Sequence, residues 1–374
     1  MSDLPFIPVS EPSLGPEDRE ALARCIDEGW ISSEGPQVGE FEARMAGLVG
    51  RKHAVAVSSG TAALDVAVEA LGIGPGDEVI VPSFTIISCV TQVVRSGAIP
   101  VFVDADPVTW NPDVAQIAEK IGPRTRAIVL PHLYGLPADT DPVLDLVAEH
   151  GLRLIEDAAE AHGQHYRGRP CGSFGDVSTF SFYPNKLITS GEGGMLLTDD
   201  DDLAERARRL RNLGFQPGRR FVHEVLGWNY RMTNLQAALG LAQLGRWEAH
   251  LTRKRAIGLR YLERLDGIPG IQLAPAEHNG EKNLFWVVGL IVDQATGHDA
   301  RSVMRGLAER GIGSRPFFYP LHRQPVLNRM GIGVGDFLPV ADRLGEQGLY
   351  LPSGVTIEDD DIVRSSRALI DVLR

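Results

Sequence analysis

Short apolar runs alternate with helical segments from His53 to Asp157, and this pattern constrains the fold more than any other feature. Runs at 53–59, 78–82, 99–104, 126–130 and 152–157 read as strands. Between them, 61–71, 86–96, 112–121 and 142–149 carry apolar positions at helical spacing. Strands apolar on both faces are buried on both, and the helix between two parallel strands supplies the crossover they need. The chain is therefore expected to be α/β, with a mostly parallel sheet sandwiched by helices. Val177–Phe182 and Met195–Thr198 bring the expected sheet to seven strands.

Residues 1–50 read as an N-terminal arm with one or two helices. The acidic run 199–202 caps an arginine-rich helix at 203–213, a charge order that suits the helix dipole. Residues 214–224 form a surface excursion. Residues 234–250 form an amphipathic helix that runs into a connector ending near 265. Beyond it the pattern is looser, with 284–292 as the best strand. The expected division is 1–250, the arm and large domain, and 251–374, a smaller α/β domain.

The 374 residues suffice for two or three domains. No apolar run reaches the roughly 18 residues of a membrane span. The first residues have neither the basic start nor the apolar core of a secretory signal. Cys25, Cys89 and Cys171 are few, odd in number and without metal-ligand spacing, so no metal is expected and a reducing, cytoplasmic setting is. The formal charge of −12 disfavours nucleic acid as a partner. A local anion site remains open, because backbone amides can hold a phosphate in an acidic protein.

In open α/β sheets, ligands bind beyond the carboxyl ends of the strands. Chemistry-bearing residues cluster at those ends. Ser58-Ser59-Gly60-Thr61 opens a helix after the first strand, where amides and a hydroxyl can meet an anion or merely cap the helix. Phe84 follows the second strand and could stack on a flat ring or sit in the core. Asp157 ends its strand, with Glu160 and His162 close behind. Ser181 ends another, and Lys186 follows before a glycine-rich turn. A lysine able to form a Schiff base and an aspartate for a pyridinium nitrogen are the minimum set for pyridoxal phosphate.

With these residues placed, the chain resembles the DegT-type nucleotide-sugar aminotransferases, a family of fold-type I pyridoxal-phosphate enzymes. The matching blocks run from 29–33 through 58–61, 82–85, 156–160, 180–194 and 227–236 to 315–322 and 351–354. The resemblance implies that Lys186 anchors the cofactor and shuttles the proton, that Asp157 pairs the pyridinium and that Phe84 stacks on the ring. It implies Gly60, Thr61 and Ser181 at the phosphate, Glu160 near the ring hydroxyl, and Asn229 reaching the neighbouring subunit's cofactor in a homodimer with shared active sites. Trp30, Ser32, His162, Arg315, Tyr319 and His322 are the expected substrate contacts. A subgroup with histidine in place of the lysine removes a sugar hydroxyl instead; residue 186 is lysine, which implies amine transfer.

The blocks at 229–234, 315–322 and 351–354 are most similar to the perosamine synthase subgroup. The implied reaction takes an amine from L-glutamate, releases 2-oxoglutarate, and places the amine on C4 of GDP-4-keto-6-deoxymannose, a step in O-antigen or other polysaccharide biosynthesis. C4 or C3 amination of a UDP- or dTDP-linked keto-sugar, a keto-sugar dehydratase, and a non-catalytic cofactor-binding sensor stay as alternatives. Pro184 stands where the family often has glycine.

Overall fold

The computed structural model describes residues 5–216 and 218–374; Met1–Leu4 of the arm and Pro217 of the 214–224 excursion lie outside the described residues. The first half contains α1 (Pro16–Asp27), α2 (Pro36–Val49), β1 (His53–Val57), α3 (Gly60–Ala70), β2 (Glu78–Pro82), α4 (Ser88–Arg95), β3 (Ile99–Val103), α5 (Val114–Lys120), β4 (Thr125–Pro131), α6 (Thr140–His150) and β5 (Arg153–Asp157). A short pair, β6 (His165–Tyr166) and β7 (Arg169–Pro170), leads to β8 (Val177–Ser181), β9 (Gly194–Thr198) and α7 (Asp201–Arg211). The excursion is a hairpin, β10 (Phe215–Gln216) with β11 (Arg219–His223). Then come α8 (Asn234–Leu244), α9 (Trp247–Leu265), β12 (Ile271–Leu273), the pair β13 (Glu277–His278) and β14 (Glu281–Lys282), and β15 (Val288–Val292). The chain closes with α10 (Ala300–Glu309), β16 (Arg315–Pro316), α11 (Pro325–Arg329), α12 (Pro339–Gln347), β17 (Gly348–Leu351) and α13 (Asp359–Leu373).

The large sheet has seven strands in the order β1-β9-β8-β5-β4-β2-β3. Only β9 runs against its neighbours; the other pairings are parallel. Alternate residues of each strand serve opposite faces. Val55 and Val57 of β1 join the core under α3 and α4, while Ala54 and Ala56 join the one under α2. Ala127 and Val129 of β4 likewise oppose Ile128 and Leu130. Each large apolar side chain buried this way contributes roughly 1.5–3 kcal/mol. The face of α3 is built from Ala62, Ala63, Ala67 and Ala70, small enough for the helix axis to lie close to the sheet. That closeness brings the α3 N-terminus to the strand ends.

The smaller sheet has the order β12-β15-β17-β16 and is antiparallel, backed by α9, α10 and α13. The N-terminal arm runs across it. Ile7 exchanges backbone hydrogen bonds with Gly311 and Gly313, and the Val9 carbonyl accepts from the Ser353 amide. Asp104, at the end of β3, accepts from the first amides of α12 at 2.7 and 3.0 Å, which joins the two sheets.

Two sequence expectations shift. The helix expected over 234–250 breaks at Gly245-Arg246, where the guanidinium of Arg246 turns back to Asp18 and Glu17 of α1. Its successor α9 spans residue 250, the expected division. The strand expected over 284–292 begins only at Val288. Phe285 adopts φ +56°, with its amide on Asn283, so Leu284–Val287 turn sharply instead of extending.

Gly258 of α9 packs against that turn; a Cβ on it would lie 2.1 Å from the Phe285 ring. Alanine is worth up to about 1 kcal/mol in helix propensity, yet overpacking costs about 1–3 kcal/mol. Gly258→Ala is therefore expected to lower stability in denaturant unfolding, against the propensity order.

Candidate active site

The parallel register sets the carboxyl ends of β4 and β5 level, with Pro131 opposite Asp157, and carries β8 two residues further, with Asp157 opposite Thr179. A cavity of ≈ 320 Å³ opens there. Gly60, Thr61, Asp157, Glu160, Ser181 and Lys186, all singled out from the sequence, line it together.

Lys186 sits in a tight turn after β8, its amide on the Tyr183 carbonyl. Its side chain is 11 % exposed. The Nζ lies 3.8 Å from Glu160 Oε1 and 4.0 Å from the centroid of the Trp286 ring. Burial lowers the amine's pKa; Glu160 and Asp157 oppose that shift. Burial likewise raises the Glu160 carboxyl to about 7, against the pull of Lys186 and the Tyr134 amide.

Asp157 is held on three sides. Its Oδ1 accepts from the Ala159 amide and the Thr179 hydroxyl, and its Oδ2 from the Cys89 thiol at 3.3 Å. Opposite, α3 presents its N-terminus, with Ser59 capping the Ala62 amide. A Cβ on Gly60 would come within 2.8 Å of Ser181 Cβ, so only glycine leaves this cradle open. Thr61 Oγ1 meets Ser88 Oγ at 2.7 Å, which places the start of α4 beside that of α3. Two adjacent helix N-termini, with the hydroxyls of Thr61 and Ser88 at their mouth, make a cradle suited to an anion.

Other expected residues lie elsewhere. Phe84 is fully buried against Tyr134, Phe317 and Phe318 and does not line the cavity; Thr85 and Ile86 do. The chain bends after Pro82, so strand alternation no longer decides which side chain faces in. His162 is buried against Trp247, Phe180 and Phe182 and does not line the cavity, and its burial lowers its pKa to about 3. His322 is buried too, bonded to Ser83 Oγ at 2.6 Å and near Asp342 at 3.2 Å; it fastens the small domain to the loop after β2. Trp30, Ser32, Asn229 and Tyr319 are exposed and off this chain's own cavity. Arg315 lines an adjoining one.

The sequence reading missed Tyr134, Trp286, Phe318 and Tyr350, which wall the cavity. Tyr134 and Phe318 stack, as do Tyr134 and Trp286. Tyr134 had a signal: it follows β4, as Lys186 follows β8. It also missed His132, which lines the cavity and joins Glu156 and Cys171 in the one group of three possible metal ligands among the described residues. These donors are already engaged. His132 Nδ1 accepts from the Ala138 amide, Nε2 donates to Glu156 at 2.8 Å, and Glu156 also takes the Gly172 and Phe174 amides. The group secures the strand ends.

A mainly parallel sheet with a desolvated lysine, a buried aspartate and an anion cradle at its strand ends defines the pyridoxal-phosphate aminotransferase class. The chain belongs to the DegT/DnrJ/EryC1/StrS aminotransferase family, whose model matches residues 12–369. It is 45% identical over 374 residues to GDP-perosamine synthase of Caulobacter vibrioides, covering 100% of both chains. It is 42% identical to GDP-perosamine synthase of Vibrio cholerae, covering 96% of each. The crystal structure of DesI in the presence of its TDP-sugar product superposes with a TM-score of 0.89 at 37% identity, over 100% of this chain and 94% of that one. The cofactor is pyridoxal phosphate. The residue set fits it: an amine for its carbonyl, a carboxylate for its ring nitrogen and a cradle for its phosphate.

Capture of the cofactor by the cofactor-free protein needs the uncharged amine of Lys186. Glu160 raises the lysine's pKa, so Glu160→Gln should lower it further. The pH midpoint of cofactor capture, followed by absorbance, is expected to move to lower pH in that variant.

Proposed function

We propose that this enzyme moves the amino group of L-glutamate to C4 of GDP-4-keto-6-deoxymannose, forming GDP-perosamine. The observation that carries the reading is the desolvated Lys186 amine facing Glu160, in a cavity shared with Asp157 and the Gly60–Ser181 cradle. The identity to two GDP-perosamine synthases supports the choice of sugar nucleotide. The TDP-sugar product of DesI keeps a dTDP-linked keto-sugar as the second reading.

Bound pyridoxal phosphate supplies the electron sink that stabilises the carbanion left when the donor's α-carbon loses its proton. Asp157 keeps the ring nitrogen protonated, because a carboxylate beside it raises its pKa. Gly60, Thr61 and Ser181 hold the phosphate. Lys186 would hold the cofactor's carbonyl, and its amine, once free, would take the donor's α-proton and deliver one in the reverse sense to the sugar carbon. Its low pKa suits both roles. Glu160 beside it receives or returns a proton between turnovers.

We further propose a homodimer. Trp30, Ser32, Asn229 and Tyr319, exposed and off their own cavity, would complete the partner's site. Phe221 and Leu226 at the hairpin are 72% and 92% exposed, apolar surface of the kind an interface covers. A cytoplasmic location fits nucleotide-sugar and glutamate supply; among the described residues no helix is long and apolar enough to cross a membrane.

Incubation with L-glutamate and a panel of GDP-, UDP- and dTDP-linked 4-keto and 3-keto sugars, with products read by mass and NMR, should yield a C4-aminated GDP sugar. A C3-aminated or dTDP-linked product as the preferred one would overturn the specific assignment. Lys186→Ala should cost at least about 10²–10⁴ in turnover without loss of folding; wild-type turnover in that variant would sink the mechanism.

A further inference from the structure

The reaction above leaves a second buried lysine unused. Lys254, on α9, is 6 % exposed. Among the described residues its Nζ has one partner, the Ser353 carbonyl oxygen. An ammonium carries three N–H donors and no acceptor. Two donors are therefore without a partner among the described residues. Burial lowers its pKa to about 7.

Lys254 faces a cavity of ≈ 540 Å³ that shares Tyr183, Asn185, Trp286 and Tyr350 with the cofactor cavity. Among the described residues, the formally charged members of its wall are Lys254 and Arg315, with no aspartate or glutamate. Arg315 too is in no ion pair among the described residues. It stands opposite Tyr350 in the β16–β17 ladder, at the shared wall. Carboxylates outnumber cations 49 to 37 in this chain, so a cavity lined by two unpaired cations runs against the composition. Glu11, exposed, lies on the narrow cleft that Lys254 shares with Lys186.

We propose that Lys254 and Arg315 form an oxyanion subsite for a charged group of a substrate whose reacting end lies in the cofactor cavity. This rests on the aminotransferase reading, under which both substrates carry such a group: a carboxylate of the amino donor or the diphosphate of the sugar nucleotide. A buried cation with spare donors supplies strength, and an exposed arginine supplies a planar fork for a carboxylate or phosphate.

The two half-reactions of the holoenzyme separate the sources. Single-turnover titration with L-glutamate, then of the aminated enzyme with the GDP-keto-sugar, is to be run on wild type, Lys254→Met and Arg315→Gln. Each variant should raise the apparent dissociation constant of the same one substrate about tenfold or more, with the other unchanged. A shift for glutamate assigns the subsite to the carboxylate, and a shift for the sugar nucleotide assigns it to the diphosphate. Unchanged constants, or equal losses for both substrates with a lowered melting temperature, overturn the proposal. Calorimetric titration with glutarate and with pyrophosphate reads the subsite without turnover. Wild type binding one of them and Lys254→Met failing to do so supports it; equal binding, or none by wild type, overturns it. Wild type without either half-reaction would defeat the functional reading instead.

Discussion

An amine kept largely out of water, with its nearest carboxylate 3.8 Å away, is the constraint on which this structure turns. A free lysine prefers its charge and its hydration, so the surroundings must hold it in place at a cost. The wall of Tyr134, Trp286 and Tyr350 excludes water, and the turn after β8 fixes the backbone. Glu160 compensates in part, without pinning the amine in a tight ion pair. A close, fully charged pair would stabilise the ground state and leave no nucleophile.

The large sheet alone cannot make that wall. Trp286, Phe318 and Tyr350 come from the smaller domain or its approaches, so the cavity depends on how the two sheets are joined. Three links do this near the strand ends. Asp104 receives α12, the Ser83 carbonyl takes the Leu321 amide, and Ser83 Oγ meets His322. Each uses a buried polar group whose hydrogen bonding is completed only when the domains meet, which makes docking specific.

The sheet was legible because its signal is local: the alternation from His53 to Asp157 encodes strands, crossovers and burial together. The residues at the strand ends were legible for the same reason, since topology sends ligands there. Phe84 marks where this stops. Beyond Pro82 the backbone leaves the strand, and whether Phe84 or Ile86 points inward depends on contacts with Phe317 and Phe318, far along the chain. Trp286 was hidden differently. Its run reads as continuous strand, and only the positive φ of Phe285 turns it toward Lys186. His162 and His322 carry catalytic side-chain chemistry but lie in packed surroundings, and sequence alone records the former, not the latter.

The N-terminal arm has a consequence for how the enzyme is made. Pro8, Val9 and Ser10 help wall the larger cavity, yet their anchors are Gly311, Gly313 and Ser353. Synthesis proceeds from the N-terminus. Residues 7–9 therefore wait until residues 311–353 have emerged before they have a place to bind. The large sheet can form during translation, whereas the cavity beside Lys254 is sealed only when residues 7–9 meet residues 311–353.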